Sequence, residues 1–191
     1  MKTDIILAGV GGQGILSIAA AIGLAAIENN LFIKQAEVHG MSQRGGDVQS
    51  HLRISDKPIA SDLIAHGCAD IIIAIEPMES LRYLPYLSKN GRIISNITPY
   101  INIPNYPDIE SIIAEIQKNA DNIIIDADAI AKNEGSPRSS NMVMLGAASH
   151  FINIKYENIE NAVRTLFASK GNDIAELNVK CLFEGRQAVK M

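Results

Sequence analysis

The sequence predicts an α/β protein of three layers, with a doubly wound, mostly parallel sheet of Rossmann-like type between two layers of helices. Three observations predict it. Strand-like apolar runs alternate with helical segments, and that alternation implies parallel strands joined by crossover helices. The pattern Gly9-x-Gly11-x-x-Gly14 falls between the first strand and the first helix, where such folds make their tightest turn. No repeat, low-complexity tract or long linker divides the 191 residues, so 1–191 reads as a single domain. A chain of that length buries about 70% of its unfolded surface.

In chain order, Ile5, Ile6 and Leu7 make a buried strand, the glycine loop follows, and a helix opens near Gln13. Ile15, Ile18, Ile22 and Ala26 share one helix face, yet the other faces are also Ala, Leu and Gly. A helix apolar on every side is a buried helix; it is expected to lie on the sheet with a second body above it, such as another subunit. Residues 31–38 (LFIKQAEV) read as the next strand and 39–46 (HGMSQRGG) as a loop. In 47–55, Val48, Ser50, Leu52 and Ile54 alternate with Gln49, His51 and Arg53, the period of a half-exposed strand.

Residues 70–75 (DIIIAI) are a buried strand, and Pro77 suits the first turn of a helix running to 87. Asn90-Gly91 reads as a turn into a strand at 92–97, and Pro99, Pro104 and Pro107 keep 98–107 irregular. A helix at 109–118 leads to a strand at 123–126. The rest is helical: a short piece after Asp128, then 140–152, 157–169 and 173–189.

A net charge of −4 without a basic run excludes a duplex nucleic-acid binder. The uncharged stretch between Asp4 and Glu28 is broken by four glycines and Gln13, which suits neither a membrane span nor a signal peptide. A cytoplasmic protein is expected. Cys68 and Cys181 have no metal or cluster spacing, and each is expected to be a free, buried thiol, packing as a small hydrophobe.

The chemistry is expected at the loops. Gly9, Gly11, Gly12 and Gly14 allow positive φ and close approach of a ligand, and the helix start beyond them favours anions. A dinucleotide reading also needs an acidic residue at the end of the second strand, about 20 residues on. Glu28 has the spacing but ends a helix; Glu37 ends a strand but comes late. NAD or FAD binding, a tight strand–helix crossing and a protein contact therefore all remain open. The second constellation is Glu37, His39, Gly40, Gln43, Arg44, Gly45 and Gly46. In a doubly wound sheet this loop lies beside the first, so His39, Gln43 and Arg44 would face Gly11 and Gly12 across one crevice. Arginine offers a fork for phosphate or carboxylate and histidine titrates near neutrality, against the plainer roles of surface ion pair and structural hydrogen bond.

Gly-x-Gly-Gly-Gln-Gly at 9–14, HGMSQRGG at 39–46 and SSNMVMLGAA at 139–148 together resemble the gamma-type domain of 2-oxoacid:ferredoxin oxidoreductases, most of all the small (beta) subunit of the indolepyruvate enzymes. The resemblance covers nearly the whole chain. It implies oxidative decarboxylation of an aryl 2-oxo acid to an acyl-CoA with reduction of ferredoxin, using thiamin diphosphate, Mg²⁺ and [4Fe–4S] clusters. Two unclustered cysteines are too few where each cluster takes about four, and no Gly-Asp-Gly motif of the thiamin-binding kind is present. Those cofactors are expected on a large partner subunit. This chain, inactive by itself, would lend its glycine loops to the partner and share in holding coenzyme A. Gln13 would supply an amide near the helix start, and Arg44 and His39 anion or partner contacts. Isolated, the chain is a candidate homo-oligomer.

Asn141, near Ser139 and Ser140, is expected to cap the following helix, with a cofactor- or partner-facing place as the alternative, and Asp126 and Asp128 to serve helix-start electrostatics rather than a cation. His51, His66 and His150, Met142 and Met144, and Tyr83 with Tyr86 read as structural. Two other readings compete: a stand-alone NAD(P)-linked Rossmann oxidoreductase, and an assembly module without a ligand.

Overall fold

A computed structural model describes residues 1–39, 45–118 and 121–189, and His39 by its backbone alone. Its elements are β1 (Lys2–Val10), α1 (Ile15–Glu28), β2 (Phe32–His39), β3 (Asp47–Ser55), β4 (Ala69–Ala74), α2 (Pro77–Arg82), β5 (Leu87–Asn96), α3 (Ile109–Gln117), β6 (Asn122–Ile125), α4 (Ala127–Asn133), α5 (Ser140–Ala148), α6 (Tyr156–Ala168) and α7 (Asn172–Gln187). They form one six-stranded sheet in the order β2-β3-β1-β4-β5-β6. The β1–β4, β4–β5 and β5–β6 pairs are parallel, whereas β3 runs antiparallel to both β1 and β2. The sheet is therefore mixed and mostly parallel. The connection at 40–46 explains the exception, because a parallel crossover needs about a dozen residues or more.

Alternation along the strands sorts the core between two faces. Ile5, Leu7, Leu52, Ile71 and Ile73 face α1, α5 and α6, where Ile18, Ile22, Leu145 and Val163 meet them. On the opposite face Ile6, Ala8, Ile72 and Ala74 pack with Ile64 and Tyr83, and Ile93 with Ile112 and Ile116 of α3. Above α1 lie α6 and α5 of the same chain. Beyond that layer α5 lies so close to α7 that Gly146 and Gly185 each press against the other helix's backbone.

Several sequence expectations are corrected. β3 is largely buried on both faces rather than half exposed. The connection after it folds over the second face, where Arg53 donates to the carbonyls of Ser61 and Leu63 at 3.0 Å. There the Ile64 amide also donates to His51 Nδ1 at 3.0 Å. Burial, and then the charge of Arg53, hold the His51 pKa below its ordinary value. The helix expected to reach 87 stops at Arg82 and gives way to a 3-10 turn at Leu84–Tyr86, since Pro85 has no amide hydrogen to continue it. Asn90-Gly91 is not a turn before a strand but an irregularity inside β5, where the pairing with β4 shifts between Ala69–Leu87 and Ile71–Arg92. Cys68 is exposed; Cys181 is buried in α7. Among the described residues, no helix is long and apolar enough to cross a membrane.

Candidate ligand crevice

The parallel strands end at one edge of the sheet, and there the chain crosses from β1 to the β2–β3 side before returning to β4. Ligands of α/β sheets bind at such a reversal. The loop after β1 is built from its own residues. Gln13 folds back so that Oε1 accepts the Val10 amide at 2.8 Å, while its own amide donates to Val10 O at 3.1 Å. Gly9 leaves room for this, since a Cβ there would come within 3.0 Å of Gln13 Oε1 and Ile15. Gln13 thus braces the loop, and its side-chain oxygen is engaged internally.

The two glycine segments do meet. The Gly11 amide donates to Gly46 O at 2.8 Å, and the Gly45 amide to Gly11 O at 3.3 Å. Gly14 has φ 81° and precedes the first residue of α1, a conformation in which a side chain costs energy. Its carbonyl accepts the Asn141 side-chain amide at 3.1 Å, while Asn141 Oδ1 accepts the Met142 amide at 2.9 Å. Asn141 therefore ties the start of α5 to the start of α1; the residue preceding α5 is Ser139, which makes no side-chain cap bond. Gly12, with φ 103°, is open: nothing lies within 4 Å of where a Cβ would be.

His39 ends β2 opposite Val48. Gly40, Gln43 and Arg44 lie outside the described residues. Glu37 is exposed on the edge strand, where its carboxylate accepts Gln35 Nε2. With β3 between β2 and β1, Glu37 stands two strands from the glycine loop. That placement disfavours the ribose contact of a dinucleotide fingerprint, whose acidic residue ends the neighbouring strand.

Residues that the sequence reading did not single out complete the crevice. The segment after β5 is strapped down by Glu76, fully buried, whose carboxylate accepts the amides of Glu79 at 2.9 Å and Tyr100 at 3.3 Å and the Tyr106 hydroxyl. Burial, and then the bond to Glu76, push the Tyr106 pKa up. Asn102 Nδ2 donates to Gly45 O at 2.6 Å, so this strap also holds the hairpin base. It leaves Tyr100, Ile101 and Ile103 exposed. On the other side of the hairpin base, the Tyr83 hydroxyl donates to Asp47 Oδ1 at 2.7 Å. Arg82 pairs with the buried Glu79 at 2.6 Å. Burial raises the Glu79 pKa against the opposing pull of Arg82. Glu76-Pro77 reads from sequence only as a helix start; nothing local marks its long-range partners.

Two cavities flank the glycine loop. One, of about 320 Å³, is apolar and lined by Val10, Ile15, Leu16 and Val48. The other, of about 460 Å³, is lined by Gly12, Gln13, Thr98, Tyr100, Arg138 and Ser140, with Asp128 also present. Asp126 accepts the Ala129 amide at 2.9 Å and Asp128 accepts Asn96 Nδ2 at 2.8 Å, so both serve the start of α4 as expected.

Comparison with known proteins gives a consistent result. The family model described as pyruvate ferredoxin/flavodoxin oxidoreductase matches residues 4–188. The chain is 38% identical to indolepyruvate oxidoreductase subunit IorB of Archaeoglobus fulgidus, over 97% of this chain and 94% of that one. It is 33% identical to the subunit of the same name from Pyrococcus horikoshii, over 98% and 96%. Pyruvate oxidoreductase subunit PORC from Thermotoga maritima superposes with a TM-score of 0.75 at 23% identity, covering 99% of this chain and 97% of that chain. The 2-oxoglutarate:ferredoxin oxidoreductase from Magnetococcus marinus gives 0.78 at 22% identity, covering 98% of this chain and 31% of that chain.

Proposed function

Because the chain belongs to the pyruvate ferredoxin/flavodoxin oxidoreductase family and is the small subunit of a 2-oxoacid:ferredoxin oxidoreductase complex, we propose that its enzyme acts on indolepyruvate or a related arylpyruvate. The reaction is oxidative decarboxylation to the acyl-CoA with reduction of ferredoxin. The observation that carries the substrate class is the near full-length identity of 38% to a subunit named for indolepyruvate.

Thiamin diphosphate with Mg²⁺ and [4Fe–4S] clusters supply the carbon and electron chemistry from the large partner subunit; two cysteines, one exposed and one in the core, offer no cluster site of the usual four. This chain's part is geometric. Gln13 and Asn141 lock the glycine loop, Gly12 leaves backbone open to an approaching molecule, and Glu76 fixes the strap beside it. These features fit a share in binding coenzyme A, whose phosphates suit an open glycine backbone at a helix start. The exposed Leu16, Tyr100 and Ile101 fit the surface that meets the large subunit.

Co-expression with the large subunit tests the reading. The expected product is a brown complex that oxidises arylpyruvates and reduces ferredoxin only with coenzyme A, whereas the small chain alone is colourless and inactive. NAD-linked activity of the small chain alone overturns it.

A further inference from the structure

Resting on the coenzyme A reading above, we infer that Arg138, with the hydroxyls of Thr98, Tyr100 and Ser140, grips a phosphoryl group in the polar cavity beside Gly12. Arg53, Arg82, Arg92 and Arg164 are each paired with a carboxylate, and Arg186 lies on the Tyr156 ring and donates to Ser149 Oγ at 2.8 Å. Arg138 differs: among the described residues its guanidinium has no hydrogen bond, ion pair or ring partner. It lines the same cavity of about 460 Å³ as the hydroxyls of Thr98, Tyr100 and Ser140. None of these three hydroxyls has a hydrogen-bond partner among the described residues either.

One cavity therefore collects an exposed arginine fork and three hydroxyls without a partner among the described residues. Its single lining carboxylate, Asp128, already accepts Asn96 Nδ2 at 2.8 Å. A ligand matching that surplus must be rich in acceptors and anionic. A phosphoryl group fits better than a carboxylate, because its tetrahedral oxygens can take the planar arginine fork on one side and hydroxyls on the others. Gly12, open beside the same cavity, removes the steric bar to its approach. The cavity on the hairpin side offers apolar walls instead, so the loop separates a phosphate-compatible side from an oily one.

The test titrates inorganic pyrophosphate calorimetrically against the full chain, and coenzyme A against its complex with the large subunit, for the natural protein, Arg138→Gln, Arg138→Lys and Arg164→Gln. The expected result is that Arg138→Gln weakens both probes about tenfold or more with an unchanged melting temperature. Arg138→Lys, keeping charge but losing the fork, should fall between, and the remote Arg164→Gln should bind as the natural protein does. If pyrophosphate binds through Arg138 but coenzyme A does not, the anion site stands and the coenzyme reading falls. If coenzyme A binds equally well to Arg138→Gln, the assignment of Arg138 is overturned and the coenzyme reading survives. Failure of the natural chain to bind pyrophosphate, or equal losses in Arg138→Gln and Arg164→Gln, also overturns the site.

Discussion

The side-chain amide of Asn141 donates to the carbonyl of Gly14 at 3.1 Å across 127 residues of sequence. The same amide fills the space a Cβ on Gly14 would need, 2.6 Å from its nitrogen. Two penalties therefore meet at one position: a positive φ and a steric conflict. Gly14→Ala should cost roughly 2–4 kcal/mol, and Asn141→Ala about 1–2 kcal/mol through the lost bond. The double variant should lose less than the sum, because truncating Asn141 removes the clash and leaves only the φ strain. Urea denaturation of the four proteins gives the coupling; additive losses would show that the two residues do not touch.

A second prediction concerns the contact between α5 and α7. Any Cβ on Gly146 would run into the Leu182 carbonyl, and one on Gly185 into that of Val143. Backbone cannot step aside as a side chain can, so Gly146→Ala and Gly185→Ala should each cost about 3 kcal/mol or more, at the upper end for overpacking. Gly135→Ala is the comparison: its φ of 77° is also positive but its surroundings are open, so the loss should stay near 1 kcal/mol. Equal losses at the three positions, measured by denaturant midpoint, would remove the helix-contact explanation.

The buried strands were legible in the sequence because Ile71, Ile72 and Ile73 form an uninterrupted apolar run, and the glycine loop because four glycines follow a strand. The meeting of the two glycine segments was also legible, although through an antiparallel hairpin rather than adjacent parallel strands. The shortness of 40–46 carried that signal. Glu76, Tyr106 and Asn102 were not legible, because their bonds join residues far apart and no spacing rule relates them. Arg138 was hidden differently: a lone arginine between Pro137 and Ser139 looks like any surface charge until the other described arginines are seen to have partners of their own.

The strap supplies a third prediction. Tyr106→Phe removes one of three donors to the buried Glu76 carboxylate, a charged-acceptor bond worth about 1.5–3 kcal/mol. Because the bond holds a short irregular segment rather than the sheet, most of the loss should appear locally. Hydrogen exchange at the Tyr100 amide should speed up about tenfold or more, while amides within β1 and β4 change little. Uniform acceleration across the sheet would mean that the bond serves global stability instead.

The two cysteines give a prediction with a pH sign. Cys68 is exposed, so a thiol reagent should label it in the native protein at neutral pH. Cys181 is buried without accessible surface and should react only after denaturation. Burial first, and then the nearby Glu134 carboxylate, push the Cys181 thiol from 9.0 up to about 11. A folded-state pKa raised in this way contributes stability in full below the unfolded value. That contribution is lost as pH climbs through the folded value. The window is therefore about pH 9 to 11, and a shift of this size corresponds to roughly 2–3 kcal/mol. Cys181→Ala should be somewhat less stable at pH 7, through the volume it vacates, yet lose less stability between pH 8 and 11 than the natural protein. Parallel pH profiles for the two proteins would show that the thiol's burial does not drive alkaline unfolding.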